Sequence, residues 1–359
     1  MKSRTTFAAI ASILAFGSLL YNLRDHTPSD SVSEPLPGPH VNQHPETSTA
    51  EQTSGKPDSK KHKEAASEPL IDNQHEVLEL ANTIQNEGWK IGCTQAQPRL
   101  EEFRNNLLHR PHTASHAWEE MVFITAGCLS EIQLDERSAI DLLKRALEVK
   151  PRDAQFMNML GTSYLRSGQD LEAEQLFTSL LADNELSQTL WNSGWAGAVH
   201  EKLAIVKLRL GTEGNDVDRL NDARHLLQTA DEFEGLTDVS PLRHGQIAAV
   251  DFSLGRYAQA VTGYERALSL LNNESTQRVW NSEMINKMKA EYTMELGQIY
   301  FIQGHKEKSE LTMKLAIEHA KASSDPLLFK TMKAIYDNTI DGTEVDLGDF
   351  NEIRRIPLE

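Results

Sequence analysis

Leu160-Gly161-x-x-Tyr164, followed at fixed distances by Gly168, Ala173 and Phe177, returns near the far end of the chain as Leu296-Gly297-x-x-Tyr300. Gly304, Ser309, Met313 and Ala316 then stand in the same relative places. A repeat of about 34 residues with this pattern of small and large side chains confines the fold to helical hairpins. Glycine or alanine at the eighth place lets the two helices of a unit approach closely. A small residue at the twentieth place does the same from the facing helix. Large residues at the eleventh and twenty-fourth places fill the gaps between helices and between units. Glycine at the fifteenth place stops the first helix, because it adopts a left-handed backbone cheaply. One such hairpin cannot bury its apolar stripe by itself, so units must stack.

On these residues the chain resembles the tetratricopeptide superfamily. The resemblance implies an all-α fold, a right-handed superhelical solenoid of antiparallel helix pairs. The unit at 154–187 is preceded without a gap by one at 120–153, which supplies Ala126, Gly127, Ala139, Leu143, Ala146 and Pro151. Two more matches fall at 241–274, with Ala248, Gly255, Ala260, Tyr264 and Ala267, and at 290–323. A degenerate unit at 188–235 keeps Ala223, Leu227 and Ala230, with its first helix read as Gln188 to Gly211 and a long loop from Thr212 to Asp218. The bridge from Glu274 to Lys289 is expected to lengthen the first helix of the last unit. Residues 71–119 read as an N-terminal helical hairpin, with helices at Asn73 to Glu87 and Pro98 to His109. Residues 324–359 read as a C-terminal helix and tail.

The start of the chain differs in kind. Lys2 and Arg4 precede an uncharged, mostly apolar run from Thr5 to Leu23, the pattern of a membrane-targeting segment. About 19 residues just span a hydrocarbon core of roughly 30 Å. Ala15-Phe16-Gly17 keeps a cleaved signal peptide open as the alternative, but Leu19, Leu20, Tyr21 and Leu23 continue the apolar run beyond it. The expectation is an anchor at 1–23 in a bacterial inner membrane, single-pass, with the helical body in the periplasm. Residues 24–70 hold almost no large apolar side chain and read as a disordered linker, with a reach of roughly 35 to 40 Å.

Charge narrows the partners. The chain carries 36 Lys and Arg against 53 Asp and Glu, a net charge of -17. Leader and linker nearly cancel, leaving about -16 on the body. Nucleic acid and anionic lipid are poor partners for such a body, whereas a neutral or basic protein or peptide segment suits it. Membrane contact is expected only through the leader.

Cys93 and Cys128 are the two cysteines, and outside the cytoplasm a disulfide between them can persist. Cys93 is read as lying in a turn after Gly92, Cys128 on the first helix of the 120–153 unit. Pairing is the expectation; the alternative is a solvated Cys93 thiol beside a core Cys128. His109, His112 and His116 are interrupted by Pro111 and read as a polar loop rather than a metal site. No H-E-x-x-H, phosphate loop or G-x-S-x-G elbow is present. No cofactor and no metal are therefore expected.

The family likeness places function on a groove formed by successive first helices. Its groove places, carried onto this chain, give Ile124, Asn158, Thr162, Leu165, Arg166, Phe252, Met294, Gln298 and Phe301 as candidate partner-binding residues. The set lacks the paired lysines and asparagines with which some family members clamp a terminal carboxylate. The function expected is a non-enzymatic scaffold or adaptor that serves assembly or maintenance of a cell-envelope complex. The competing reading is a ligand-sensing or accessory subunit of an envelope enzyme.

Overall fold

The computed structural model describes Leu80 and residues 89–109, 116–234 and 240–341. The leader, the linker, the expected helix from Asn73 to Glu87, His112 and the C-terminal tail lie outside the described residues, Leu80 excepted. Fourteen α-helices and no strand make up the described part. In chain order they are α1 (Trp89–His109), α2 (His116–Gly127), α3 (Glu136–Val149), α4 (Ala154–Arg166), α5 (Asp170–Ala182), α6 (Asn184–Asn192) and α7 (Ala196–Gly214). Then come α8 (Val217–Glu234), α9 (Pro241–Ser253), α10 (Tyr257–Leu271), α11 (Glu274–Val279), α12 (Ser282–Ile302), α13 (Lys306–Ala322) and α14 (Pro326–Tyr336). The pairs α2/α3, α4/α5, α7/α8, α9/α10 and α12/α13 each pack together and onto the next pair, forming a tetratricopeptide-like stack.

Short polar side chains start several of these helices. Asp153 accepts the N–H groups of Gln155 and Phe156, both at 3.0 Å, and Asp325 does the same for Leu327 and Leu328. Each cap satisfies donors that the first helical turn leaves without a partner. A recurring turn ends the first helices. Gly168 has a φ of 74°, and the Gln169 N–H reaches back to the Tyr164 carbonyl at 2.9 Å. The same bond recurs from Arg256 to Asp251 and from His305 to Tyr300, around Gly255 and Gly304. In the first unit Leu134 occupies that place with a φ of 54°. There the helix ends in a π-type turn, Cys128–Ile132, and the closing bond is one residue wider, from the Asp135 N–H to the Leu129 carbonyl at 2.9 Å.

The repeat's residues are consumed by packing. Ala139, Ala173, Ala260 and Ser309, all at the twentieth place, are fully enclosed, as are Leu143, Phe177, Tyr264 and Met313 at the twenty-fourth. A Cβ added to Gly161 would sit 2.6 Å from the Phe177 ring, and one on Gly297 would sit 2.5 Å from the Met313 side chain. Ser309, which stands where an alanine is usual, donates its hydroxyl to the Gly297 carbonyl at 2.8 Å.

Three expectations need correction. Cys93 is not in a turn, because α1 is one helix running through Pro98. Cys93, Ala96, Leu100 and Phe103 recur at helical spacing and are all buried, and that apolar face outweighs the proline placed on the exposed side. Second, the expected loop from Thr212 to Asp218 shrinks to Asn215 and Asp216. Asn215 adopts the left-handed backbone (φ 50°), and the Asp216 carboxylate caps α8 through the N–H groups of Asp218 and Arg219, both at 3.1 Å. Third, the helix expected from Gln188 to Gly211 breaks at Ser193-Gly194-Trp195, where Gly194 has a φ of 77°. This break creates the short α6, while α5 packs directly on α7. The bridge from Glu274 divides into α11 and an α12 that begins at Ser282.

Substituting Gly161→Ala should lower stability by about 1 to 3 kcal/mol through overpacking against Phe177. Thermal unfolding checks this, and the Gly161→Ala/Phe177→Leu double variant should recover part of the loss.

Candidate functional site

The first helices form the wall on which function was expected, and most of that wall is filled. Ile124, Leu165, Phe252, Met294 and Gln298 are buried, so as partner-binding residues they offer no surface. The reason is visible for Met294, which packs with Met313, Ala316, Met332 and Ile335 under α14. The others belong to the stack's interior. Asn158 is also buried and accepts a hydrogen bond from Lys202 Nζ at 3.1 Å. Thr162 is half-buried and spends its hydroxyl on the Asn158 carbonyl at 2.8 Å. Arg166 donates to Ser130 Oγ at 2.7 Å and lies 3.8 Å from Glu136. Phe301 is half-buried, and Gln155 on α4 is exposed. Among the residues singled out from sequence, Thr162, Arg166 and Phe301 keep partial access to solvent.

A polar seam runs along the same helices, tying each unit to its neighbour. Arg209 reaches Asp170 at 2.7 Å and the Leu165 carbonyl at 3.1 Å. Glu201 on α7 accepts from Gln246 at 2.6 Å and from Arg243 at 3.3 Å, both on α9. Arg243 Nε also lies 2.8 Å from Asp231. Asp251 is nearly enclosed between Arg224, at 3.0 Å, and Arg256, at 3.6 Å. Buried charges such as Lys202, Arg209 and Arg243 are tolerated because each meets a hydrogen-bonding partner. Glu201, Asp231, Arg243 and Gln246 were not anticipated from sequence. Glu201 precedes Arg243 and Gln246 by 42 and 45 residues, off the repeat of about 34 residues, so the repeat pattern gives no signal for them.

Along α12 the seam becomes less satisfied. Glu295 Oε2, both polar atoms of the Gln298 amide, the Tyr292 hydroxyl and, from neighbouring α10, the Tyr264 hydroxyl are buried with no hydrogen-bond partner among the described residues. Burial alone pushes the Glu295 carboxyl well above the ordinary range, which favours its neutral form. Burial first, then the Glu291 and Glu201 carboxylates, push the Tyr292 hydroxyl well up. Asp231 is raised by burial, with Arg243 opposing. Gly245 is needed here because a Cβ on it would run into the Tyr292 ring.

At the other end, Cys93 and Cys128 form a disulfide with a Cα–Cα distance of 5.5 Å. It joins α1 to the π-type turn that follows α2, and both cysteines are buried. His109 and His116 close and open flanking helices, and among the described residues no cluster of His, Cys, Asp and Glu has the arrangement of a metal site. No helix among them is long and apolar enough to cross a membrane.

No family model matches the chain, and no curated protein does. Among solved structures, a thermophilic TPR protein of Thermus thermophilus is similar over 58% of this chain and 92% of its own, with 18% identity and a TM-score of 0.41. PilF of Pseudomonas aeruginosa is similar over 73% of this chain and 96% of its own, with 14% identity and a TM-score of 0.46. The class of the fold, a tetratricopeptide-like stack of helix pairs, comes from the pairing and the repeat residues described above.

Glu295 sets a pH dependence. The unfolded chain releases this proton above about pH 4.5, the ordinary value, while the folded chain retains it to higher pH. Its contribution is therefore most favourable below that value and is lost as pH rises toward the folded pKa. Glu295→Gln removes this slope. Denaturant titrations across pH should show the variant gaining on the parent protein as pH increases from about 4 to 8.

Proposed function

We propose that this chain is a membrane-tethered, non-enzymatic adaptor whose first-helix wall holds a protein or peptide segment during assembly or maintenance of a cell-envelope complex. The observation that carries the reading is the division of labour within the stack. The residues that define the repeat are spent on packing, which leaves the exposed or half-buried wall positions Gln155, Thr162 and Phe301 for recognition. A body charge near -16 favours a neutral or basic segment over nucleic acid.

The proposed location is the periplasmic side of a bacterial inner membrane, with residues 1–23 as the anchor. It draws on the basic, apolar leader and on the Cys93–Cys128 disulfide, a bond that persists in oxidising compartments.

Photocrosslinking in the native host tests both parts. A crosslinker at position 162 or 301 of the full chain is expected to capture one or a few defined envelope proteins, while one at the outward position Leu311 captures none of them. Thr162→Arg should reduce that capture without lowering the melting temperature. If both wall positions crosslink nothing while a small ligand raises the melting temperature, the adaptor reading fails and the ligand-sensing subunit replaces it.

A further inference from the structure

The last unit departs from the others on its outer face. At the twenty-second and twenty-sixth places the other regular units carry Asp141 and Arg145, Gln175 and Ser179, and Thr262 and Arg266, all exposed. The 290–323 unit has Leu311 and Leu315 there, 73% and 51% exposed. A single surface leucine is ordinary. Two of them four residues apart on α13 are neighbours on one helix face and form an apolar strip.

The described chain ends beside this strip. α14 packs against α13, with the Tyr336 hydroxyl 3.4 Å from Glu310 Oε1 and Lys314 Nζ 5.9 Å from the centre of the Tyr336 ring. Glu310 and Lys314 immediately precede Leu311 and Leu315. After Tyr336 the chain passes into the π-type turn Asp337–Asp341, and 18 residues follow, 342–359. At roughly 3.3 Å per residue, about six of them cross about 20 Å, so the segment reaches the strip. Its composition suits the strip: Val345, Leu347, Phe350, Ile353, Ile356 and Leu358 fall within those 18 residues, whereas the 24–70 linker holds almost no large apolar side chain. A segment tethered this close meets the strip at an effective concentration of about millimolar, above that of a second copy in dilute solution.

We propose that residues 342–359 fold back along α13 and cover Leu311 and Leu315, with Phe350 and its apolar neighbours as the covering side chains. The C-terminal segment is then an intramolecular cover for the outer face of the last unit, and it keeps the leucine strip from pairing with a second copy. The contact lies apart from the first-helix wall and stands whether or not that wall binds anything.

The test uses the purified full chain in detergent, with an apolar photocrosslinker at position 311 and a mixture of isotopically light and heavy preparations. Adducts are expected to map to residues 342–359 of the same molecule, with no light–heavy pairs. A crosslinker at position 175, the same place in an earlier unit, should not reach that segment. Hydrogen exchange of the amides from 345 to 356 is expected to run about tenfold or more below the free-chain rate. It should return to that rate in Leu311→Asp/Leu315→Asp and in Phe350→Asp, and because Leu311 and Leu315 lie outside the core, the leucine variant should keep the helical circular dichroism of the parent. The proposal is overturned if adducts join light to heavy chains, since a second copy would then be the occupant, or if position 311 yields no adduct within 342–359. It is likewise overturned if those amides exchange at the free-chain rate in the parent, or if the leucine variant leaves their protection unchanged.

Discussion

Two helices can close only as far as their bulkiest contact permits, and that distance governs the whole stack. At Gly161 the Phe177 ring occupies the space a methyl group would need, and at Gly297 Met313 does the same. In the 241–274 unit Ala248 takes the small place, and the close approach shifts to Gly263, whose missing Cβ would meet the Ala248 methyl at 2.8 Å. The small residue thus does more than tolerate its neighbour. It lets a large side chain from the second helix fill the centre of its own pair, and the pair then presents a continuous apolar face to the next one. Dense interiors transmit such constraints because few voids remain to absorb a change in volume.

Apolar contact alone sets no register between units, since one aliphatic surface can slide over another at little cost. The polar seam supplies directional contacts that can. Arg166 to Ser130, Lys202 to Asn158, Arg209 to Asp170 and Gln246 to Glu201 each join one unit to the next, over 36 to 45 residues of chain. A displaced unit would leave a buried charge without its partner, which costs more than a lost apolar contact. The net stabilisation from such ties is modest. Their effect is better understood as excluding alternative alignments.

The helix pairs were legible in the sequence because their signature residues obey steric rules that hold in any chain: small at eight and twenty, large at twenty-four, left-handed at fifteen. Where a boundary depended on tertiary burial, the local rules misled. Pro98 reads as a helix start, yet it lies inside α1 because Cys93, Ala96, Leu100 and Phe103 share a buried face. Asn215 replaced glycine in a left-handed turn and made a two-residue connection look like a long loop. The wall was less legible than the fold. Family places identify which way a side chain faces but not what covers it, so Leu165, Met294 and Gln298 read as groove residues and prove to be interior ones. Arg243 draws carboxylate partners from the two preceding helices, Glu201 on α7 and Asp231 on α8, and no local pattern announces such a set.

Filling the wall changes where recognition has to occur. A groove lined by open apolar side chains would bind a segment chiefly by burying them, with affinity following area. Here the apolar places are already occupied, and what remains is a few half-buried side chains above a seam of fixed charges. Recognition on such a surface depends on complementarity with those charges and on the segment's own shape more than on hydrophobic area. The interruption at Ser193-Gly194-Trp195 works in the opposite direction. It leaves two tryptophans, Trp191 and Trp195, on the exposed surface. A regular repeat yields surfaces that differ mainly in side-chain identity, whereas a broken one yields a new shape. In this chain the departure from the repeat, rather than the repeat itself, leaves the largest aromatic side chains accessible to solvent.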